Sequence, residues 1–207
     1  MPFRMEIRMI EWVMYFSAYF LAGLLLKTGD DLLDELNKTG LSWIPLALSG
    51  LLFGLIMTVS EWDLALMTSI IIGVSVSGKV NRPPFIMGFI VIVVVVILRS
   101  LPPITGIYDW ITLVIMMFLA AVLDERGNDW TDKQASPRAY RFFKFRFTLK
   151  VSVLLLSIPW PLLLPTAIGL WFFDLGYELA AWIVKNRLQE DQMGKAATHI
   201  FKDGSES

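Results

Sequence analysis

Two short acid-rich segments carry most of the side chains that could do chemistry in this sequence. The segments 30–35 and 124–132 together contain eight carboxylates and one amide. Spacings of three and four residues align many of these groups along helix faces, where like charges repel. A divalent cation with oxygen ligands offsets such repulsion, so the segments predict a Mg²⁺ site. The candidate ligands are Asp30, Asp31, Asp34, Glu125, Asn128, Asp129 and Asp132.

A basic turn between the third and fourth apolar runs supplies the complementary charge. Lys79, Asn81 and Arg82 are its candidate phosphate-binding residues. Magnesium commonly binds one or two carboxylates together with oxygens of a substrate phosphate, and Lys or Arg neutralises the remaining phosphate charge. Two acidic segments and a basic turn therefore predict a site for a metal-bound phosphate or diphosphate.

The acidic segments also contain two recognisable motifs. Residues 30–34 read DDLLD, of the form DDxxD, and residues 128–132 read NDWTD, of the form NDxxD. At the motif level they resemble the aspartate-rich motifs with which prenyltransferases and terpene cyclases hold magnesium diphosphate. The resemblance is confined to these ten residues, and it implies an isoprenoid diphosphate as one class of substrate.

Asp174 and Glu178 form a separate pair, one helical turn apart within the last apolar run. Ionisable groups inside a membrane span are costly and by default indicate function. We therefore predict both as catalytic residues, at the floor of the metal site or in a proton or cation relay. Glu11 lies near the start of the first apolar run, where an interfacial position explains it.

The composition places these residues in a membrane protein. Of 207 residues, 56% are hydrophobic and 18% are charged, and the mean hydropathy is +0.61. Soluble domains are roughly 45–50% apolar and about 25% charged. A net charge of −1 without a basic arm excludes a nucleic-acid partner, and the lack of cysteine excludes disulfides and thiolate metal sites.

The apolar runs predict an all-α bundle of about seven transmembrane helices, or six if the first run does not span. Residues 1–187 form a single transmembrane domain in this interpretation, and residues 188–207 form a short polar cytoplasmic tail. A separate short polar helix is expected within 28–40, between two glycines. The expected spans are 9–26, 41–60, 64–77, 85–98, 104–123 or 110–123, a run from 147 to the prolines at 159–165, and 163–184.

Basic residues set the orientation, because cytoplasmic loops carry an excess of Lys and Arg. With seven spans, fifteen basic residues fall on one side and three on the other. This bias predicts an external N-terminus and a cytoplasmic C-terminus in a multi-pass protein of the cell membrane. Both acidic segments and the basic turn then lie on the cytoplasmic face.

Three hypotheses follow from these patterns. The leading one is a Mg²⁺-dependent membrane enzyme, a transferase or lyase, that acts on a phosphate- or diphosphate-bearing amphiphile such as an isoprenoid. The alternative is a small cation or proton-coupled transporter that uses Asp174 and Glu178. The third is a non-catalytic scaffold subunit, with the acidic segments as solvated helix ends. Membrane lipids are the expected partners, and the G-x-x-x-G of Gly50 and Gly54 suits helix contact within the bundle or in a homo-oligomer.

Overall fold

The computed structural model of the protein describes residues 2–76, 82–133 and 147–203, with side chains described over 9–76, 82–124, 126–127 and 147–187. Every regular element in these ranges is a helix, which confirms the all-α prediction. The α-helices are α1 Pro2–Asp34, α2 Thr39–Met57, α3 Glu61–Val76, α4 Pro83–Arg99, α5 Ile107–Lys133, α6 Phe147–Leu156 and α7 Leu164–Asp203, and a 3₁₀ helix, Pro161–Leu163, precedes α7.

Four helical segments are long and apolar enough to cross a membrane. They are Met9–Asp34, Thr39–Met57, Ile107–Asp124 and Pro161–Arg187. The apolar helices α4 and α6 have only 17 and 10 residues. By length and composition, the described residues thus contain four candidate membrane spans, and the count of seven stays a prediction.

The first helix differs from the sequence prediction. The structure shows no separate helix within 28–40, because α1 continues without a break through Gly29. A Cβ at Gly29 would lie 2.5 Å from Cγ of Leu46, so this glycine serves close packing against α2 and does not end the helix. Lys27 and Asp31, one turn apart, form an ion pair at 2.8 Å that stabilises α1 across the predicted boundary.

Two helices continue into segments that the hydropathy pattern assigns to a loop and a tail. Helix α5 extends to Lys133, and α7 extends to Asp203, well past the predicted end at 184. Extending an existing helix requires no new nucleation, so polar residues can follow an apolar span in the same helix. The hydropathy pattern locates where a helix leaves the apolar region, and not where the helix ends.

Glycines bring α1 and α7 into close contact. An added Cβ at Gly23 would overlap the carbonyl oxygen of Phe173, and one at Gly176 would overlap that of Phe20. Helix α2 packs against both α1 and α4. Gly50 on α2 faces the backbone of Gly88 on α4 in the same way. The predicted G-x-x-x-G contact is therefore made within the bundle.

Two buried carboxylates, Asp63 on α3 and Asp174 on α7, form the centres of polar clusters towards opposite ends of the helix bundle. At the Asp63 end, α3 and α7 begin, and Glu61 Oε2 accepts a hydrogen bond at 2.8 Å from the backbone N–H of Thr105, just before α5. At the Asp174 end, α1 ends and α4 and α6 begin, and Arg82 pairs with Asp34 at 2.8 Å. Core side chains such as Met67, Leu113, Met117 and Phe173 are fully buried between the helices.

Candidate functional site

Asp174 and Lys150 form a buried ion pair between α6 and α7. Their exposed fractions are 8% and 5%, and Lys150 Nζ donates a hydrogen bond to Asp174 Oδ2. The ammonium group also lies 5.3 Å from the ring centroid of Trp171 and 5.4 Å from that of Phe147. Charge pairing and aromatic contacts together offset the cost of removing both charges from water. The sequence analysis singled out Asp174 but not its partner.

Asp124 joins α5 to the start of α6. Its carboxylate is buried, and it accepts hydrogen bonds from the backbone N–H groups of Thr148 at 3.0 Å and Leu149 at 2.7 Å. The first N–H groups of a helix have no partner within that helix, and an acid near them also interacts favourably with the helix dipole. Asp124 therefore fixes the first turn of α6, which carries Lys150.

Lys27 neutralises two of the predicted metal ligands. Its Nζ lies 3.2 Å from Asp30 Oδ2 and 2.8 Å from Asp31 Oδ1. The same ammonium lies 5.3 Å from the ring centroid of Tyr177, on the turn of α7 that separates Asp174 from Glu178. The structure thus brings the first acidic motif to the same end of the bundle as the acidic pair of α7.

Arg82 is placed against the end of α1. Its guanidinium lies 2.8 Å from Asp34 and donates a hydrogen bond at 3.0 Å to the backbone oxygen of Leu33. A cation at a helix C-terminus interacts favourably with the unpaired carbonyl groups there. A predicted phosphate-binding residue and a predicted metal ligand are therefore paired with each other at an exposed position.

Two cavities open among these residues. The smaller one, about 30 Å³, is lined by Asp124, Lys150 and Asp174 together with apolar side chains. The larger one, about 140 Å³, is lined mainly by apolar residues of α2, α3 and α4. Asp30 and Tyr177 also line it, and both lie close to the Lys27 ammonium. The larger cavity thus has a mainly apolar lining, to which Asp30 and Tyr177 add polar groups at the Asp174 end.

The other predicted site residues are described only in part. Lys79 and Asn81 lie outside the described residues, as do the side chains of Glu125, Asn128, Asp129 and Asp132 within α5. Glu178 is half-buried, one turn beyond Asp174. Among the residues that the structure describes, no three acidic or histidine side chains form a group that could hold a metal ion. The Mg²⁺ site remains a prediction.

The structure reveals one polar centre that the sequence analysis missed. Asp63, only 1% exposed, accepts hydrogen bonds at Oδ1 from Tyr15 at 2.6 Å, Tyr19 at 2.5 Å and Thr166 at 2.9 Å. Its Oδ2 accepts a hydrogen bond at 2.7 Å from Ser60, whose Oγ accepts one from the Asp63 N–H. This pair forms a variant of the capping box at the start of α3.

The sequence contains two signals for this centre. The spacing S-x-x-D at 60–63 indicates a capped helix start, and two tyrosines four residues apart on α1 place both hydroxyls on one face. Neither signal shows that the two features meet. Thr166, more than one hundred residues further along the chain, gives no such signal.

No protein-family model, curated protein or solved structure matches this chain.

Proposed function

We propose that the protein is a membrane enzyme that acts at the Asp174 end on an amphiphile with a phosphate or diphosphate head, with an isoprenoid as one class of substrate. The observation that carries the proposal is the larger cavity, whose lining is mainly apolar and also includes the polar groups of Asp30 and Tyr177. An amphiphile whose chain enters this cavity has its head beside Asp30, Tyr177 and the Lys27 ammonium.

Two cations near this polar part of the lining suit such a head. Lys27 lies beside Asp30 and Tyr177, and Arg82 lies at the same end of the bundle. Cations placed where charge develops on a departing phosphate or diphosphate stabilise the transition state. In this proposal Lys79 and Arg82 hold the phosphate, and Asp174 and Glu178 act in the reaction itself.

Magnesium is the proposed cofactor, with ligands from both acidic motifs. Asp31, Asp34, Asp129 and Asp132 are the proposed ligands. Asp31 is paired with Lys27 and Asp34 with Arg82, so a metal ion binds only if it shares these carboxylates or displaces the cations. A phosphate head favours this exchange, because it offers both cations a new anionic partner.

A binding test distinguishes recognition of the phosphate head from recognition of the apolar chain of the ligand. We expect geranylgeranyl diphosphate with Mg²⁺ to raise the unfolding temperature of the purified full-length protein in detergent, because a ligand that binds only the folded state stabilises it. Geranylgeraniol supplies the chain alone, and inorganic diphosphate supplies the head alone. Equal shifts with the diphosphate and with geranylgeraniol would contradict a phosphate site.

Variants test both parts of the proposed site. The double change Asp31→Asn and Asp129→Asn is expected to abolish the Mg²⁺-dependent shift and any release of diphosphate from the lipid. Ile71→Phe narrows the cavity and is expected to weaken binding of the chain, whereas Ile72→Phe, on the exposed face of α3, leaves it unchanged. Metal binding and turnover that survive the double change would overturn the proposal.

The buried Lys150–Asp174 pair favours a second candidate function, a cation- or proton-coupled transporter. Ionisable pairs inside membrane bundles mark ion pathways and proton relays. In proteoliposomes with an imposed pH or cation gradient, Asp174→Asn is expected to abolish flux, while Asp31→Asn only changes its rate. Absence of gradient-driven flux in the unmodified protein rules out this candidate.

A further inference from the structure

A cleft at the Asp63 end is independent of the site proposed above. It measures about 580 Å³, within the roughly 300–1,000 Å³ range of small-molecule pockets. Its lining combines aromatic rings with carboxylates. The rings are those of Trp12, Tyr15 and Trp62, and the carboxylates are those of Glu11 and Asp63.

Among the described residues that line the cleft, the charged side chains are both acidic. Glu11 is exposed at its wall, Asp63 is buried beside it, and the described side chains that line the cleft include no lysine or arginine. The hydrogen-bond partners of Asp63 are all hydroxyl groups, and no cation of the described part of the chain pairs with it. The charged side chains that the structure describes in the cleft are thus both carboxylates, which favour a cationic ligand.

Two of the aromatic walls, Trp12 and Tyr15, are packed against neighbouring side chains. The Trp12 ring meets Tyr15 edge-on at 5.8 Å and stacks on Phe16 at 5.6 Å. Phe16 in turn stacks on Phe172 of α7 at 5.0 Å, and the Tyr15 hydroxyl is fixed by Asp63. Walls that are positioned before binding lose little conformational entropy when a ligand enters.

We propose that this cleft binds a small organic ammonium ion. A quaternary or primary ammonium group gains both from the two carboxylates and from contact with the faces of tryptophan and tyrosine, which attract cations. A hard metal ion uses the carboxylates but not the rings, and a neutral apolar ligand uses the rings but not the carboxylates. The combination of Glu11, Asp63, Trp12 and Trp62 selects a ligand that uses both.

The test compares choline with its neutral isostere 3,3-dimethylbutan-1-ol by calorimetric titration of the full-length protein in detergent, at constant ionic strength. We expect saturable binding of choline at least about tenfold tighter than that of the alcohol, because only choline carries the charge. Equal binding of the two compounds, or no saturable binding of choline, would overturn the proposal.

Exposed residues provide variants that leave the fold intact. Glu11→Gln and Trp12→Leu are each expected to weaken choline binding roughly fivefold. The control for Glu11→Gln is Asp109→Asn, which changes an exposed acid outside the cleft. The control for Trp12→Leu is Trp182→Leu, which changes an exposed tryptophan on α7, also outside the cleft. Both controls are expected to keep the original affinity for choline. Unchanged unfolding temperatures show that the variants are folded, and equal loss in a variant and its control contradicts a specific site.

The outcome of the choline test does not depend on the enzyme proposal. Choline binding at the Asp63 end involves none of the residues of the Asp174 end, so either site can fail its test while the other passes.

Discussion

The two polar centres of this bundle hold their buried carboxylates in different ways. Asp63 accepts hydrogen bonds from four neutral hydroxyl groups, whereas Asp174 is paired with the ammonium of Lys150. Hydroxyl groups distribute the stabilisation over several partners, on α1, on α7 and just before α3. A single ammonium concentrates it in one contact between α6 and α7. We expect the Asp174 centre to be the more sensitive of the two to loss of one partner.

The two centres also differ in the space that lies beside them. The Asp63 centre joins three helices and borders an open cleft, so its carboxylate both stabilises the bundle and contributes charge to the cleft. The Asp174 centre lies beside a cavity of about 30 Å³, which has little room for a ligand. The larger cavity at that end, lined by Asp30 and Tyr177, is the one into which the enzyme proposal places the chain of an amphiphile.

The largest effect is expected from breaking the buried ion pair. Lys150→Met leaves Asp174 buried without its counter-ion and is expected to destabilise the protein by about 3–5 kcal/mol. The double change Lys150→Met and Asp174→Leu removes both charges and is expected to restore most of that stability. Unfolding in mixed detergent measures both. A double variant no more stable than the single one would show that the pair acts through other contacts.

A smaller effect is expected from crowding the Asp63 centre. An added Cβ at Gly169 would lie 2.8–2.9 Å from three ring carbons of Tyr19, so Gly169→Ala displaces that ring and its hydroxyl. Overpacking of this kind costs about 1–3 kcal/mol. Gly40→Ala, with no atom within 4 Å of its added Cβ, is the control and is expected to leave the unfolding midpoint unchanged or slightly raised. Equal midpoints for the two variants would contradict close packing at Gly169.

Removing one hydroxyl should cost less than removing the ammonium of Lys150. Tyr19→Phe deletes a fully buried donor to Asp63 and is expected to cost about 1–2 kcal/mol, since other hydroxyl groups still bind the carboxylate. Tyr15→Phe removes the donor of a half-buried residue and is expected to cost less. Equilibrium unfolding of the two variants checks the order. A loss of unfolding free energy for Tyr19→Phe as large as that for Lys150→Met would contradict the expected difference between the two centres.

The smallest effect is expected at the surface pair. Arg82 and Asp34 have about half of their side-chain surface exposed, and such pairs contribute roughly 0–1 kcal/mol. Arg82→Gln should therefore change the unfolding midpoint little, while in the enzyme proposal it weakens diphosphate binding. Titration of the same variant with geranylgeranyl diphosphate separates the two roles, and unchanged affinity would remove Arg82 from the proposed site.

The helical class and most helix positions follow from the sequence, because apolar runs and proline breaks act locally. The prolines at 159–165 separate α6 from α7 as predicted, since proline lacks the N–H that a helix interior requires. The continuity of α1 through Gly29 could not be predicted in this way. It depends on Leu46 of α2, which packs where a side chain at Gly29 would lie.

The candidate site was predictable as a set of residue types and only partly as an arrangement. The acidic motifs and Asp174 stand out in the sequence because charge in an apolar chain is conspicuous. Their partners do not stand out. Lys150 looks like one more basic residue beside a span, and only the packing of α6 on α7 shows that it is buried against Asp174.

Composition and hydropathy by themselves indicated an all-helical chain with segments apolar enough to cross a membrane, and with acidic residues at helix ends and within one such segment. These properties are sums over local segments, so each can be evaluated without knowing which helices touch. Tertiary structure alone decided that Tyr15, Tyr19 and Thr166 meet at Asp63 and that Lys27 bridges α1 and Tyr177. Such contacts join residues distant in sequence, and they depend on how the glycines at the helix crossings allow whole helices to approach.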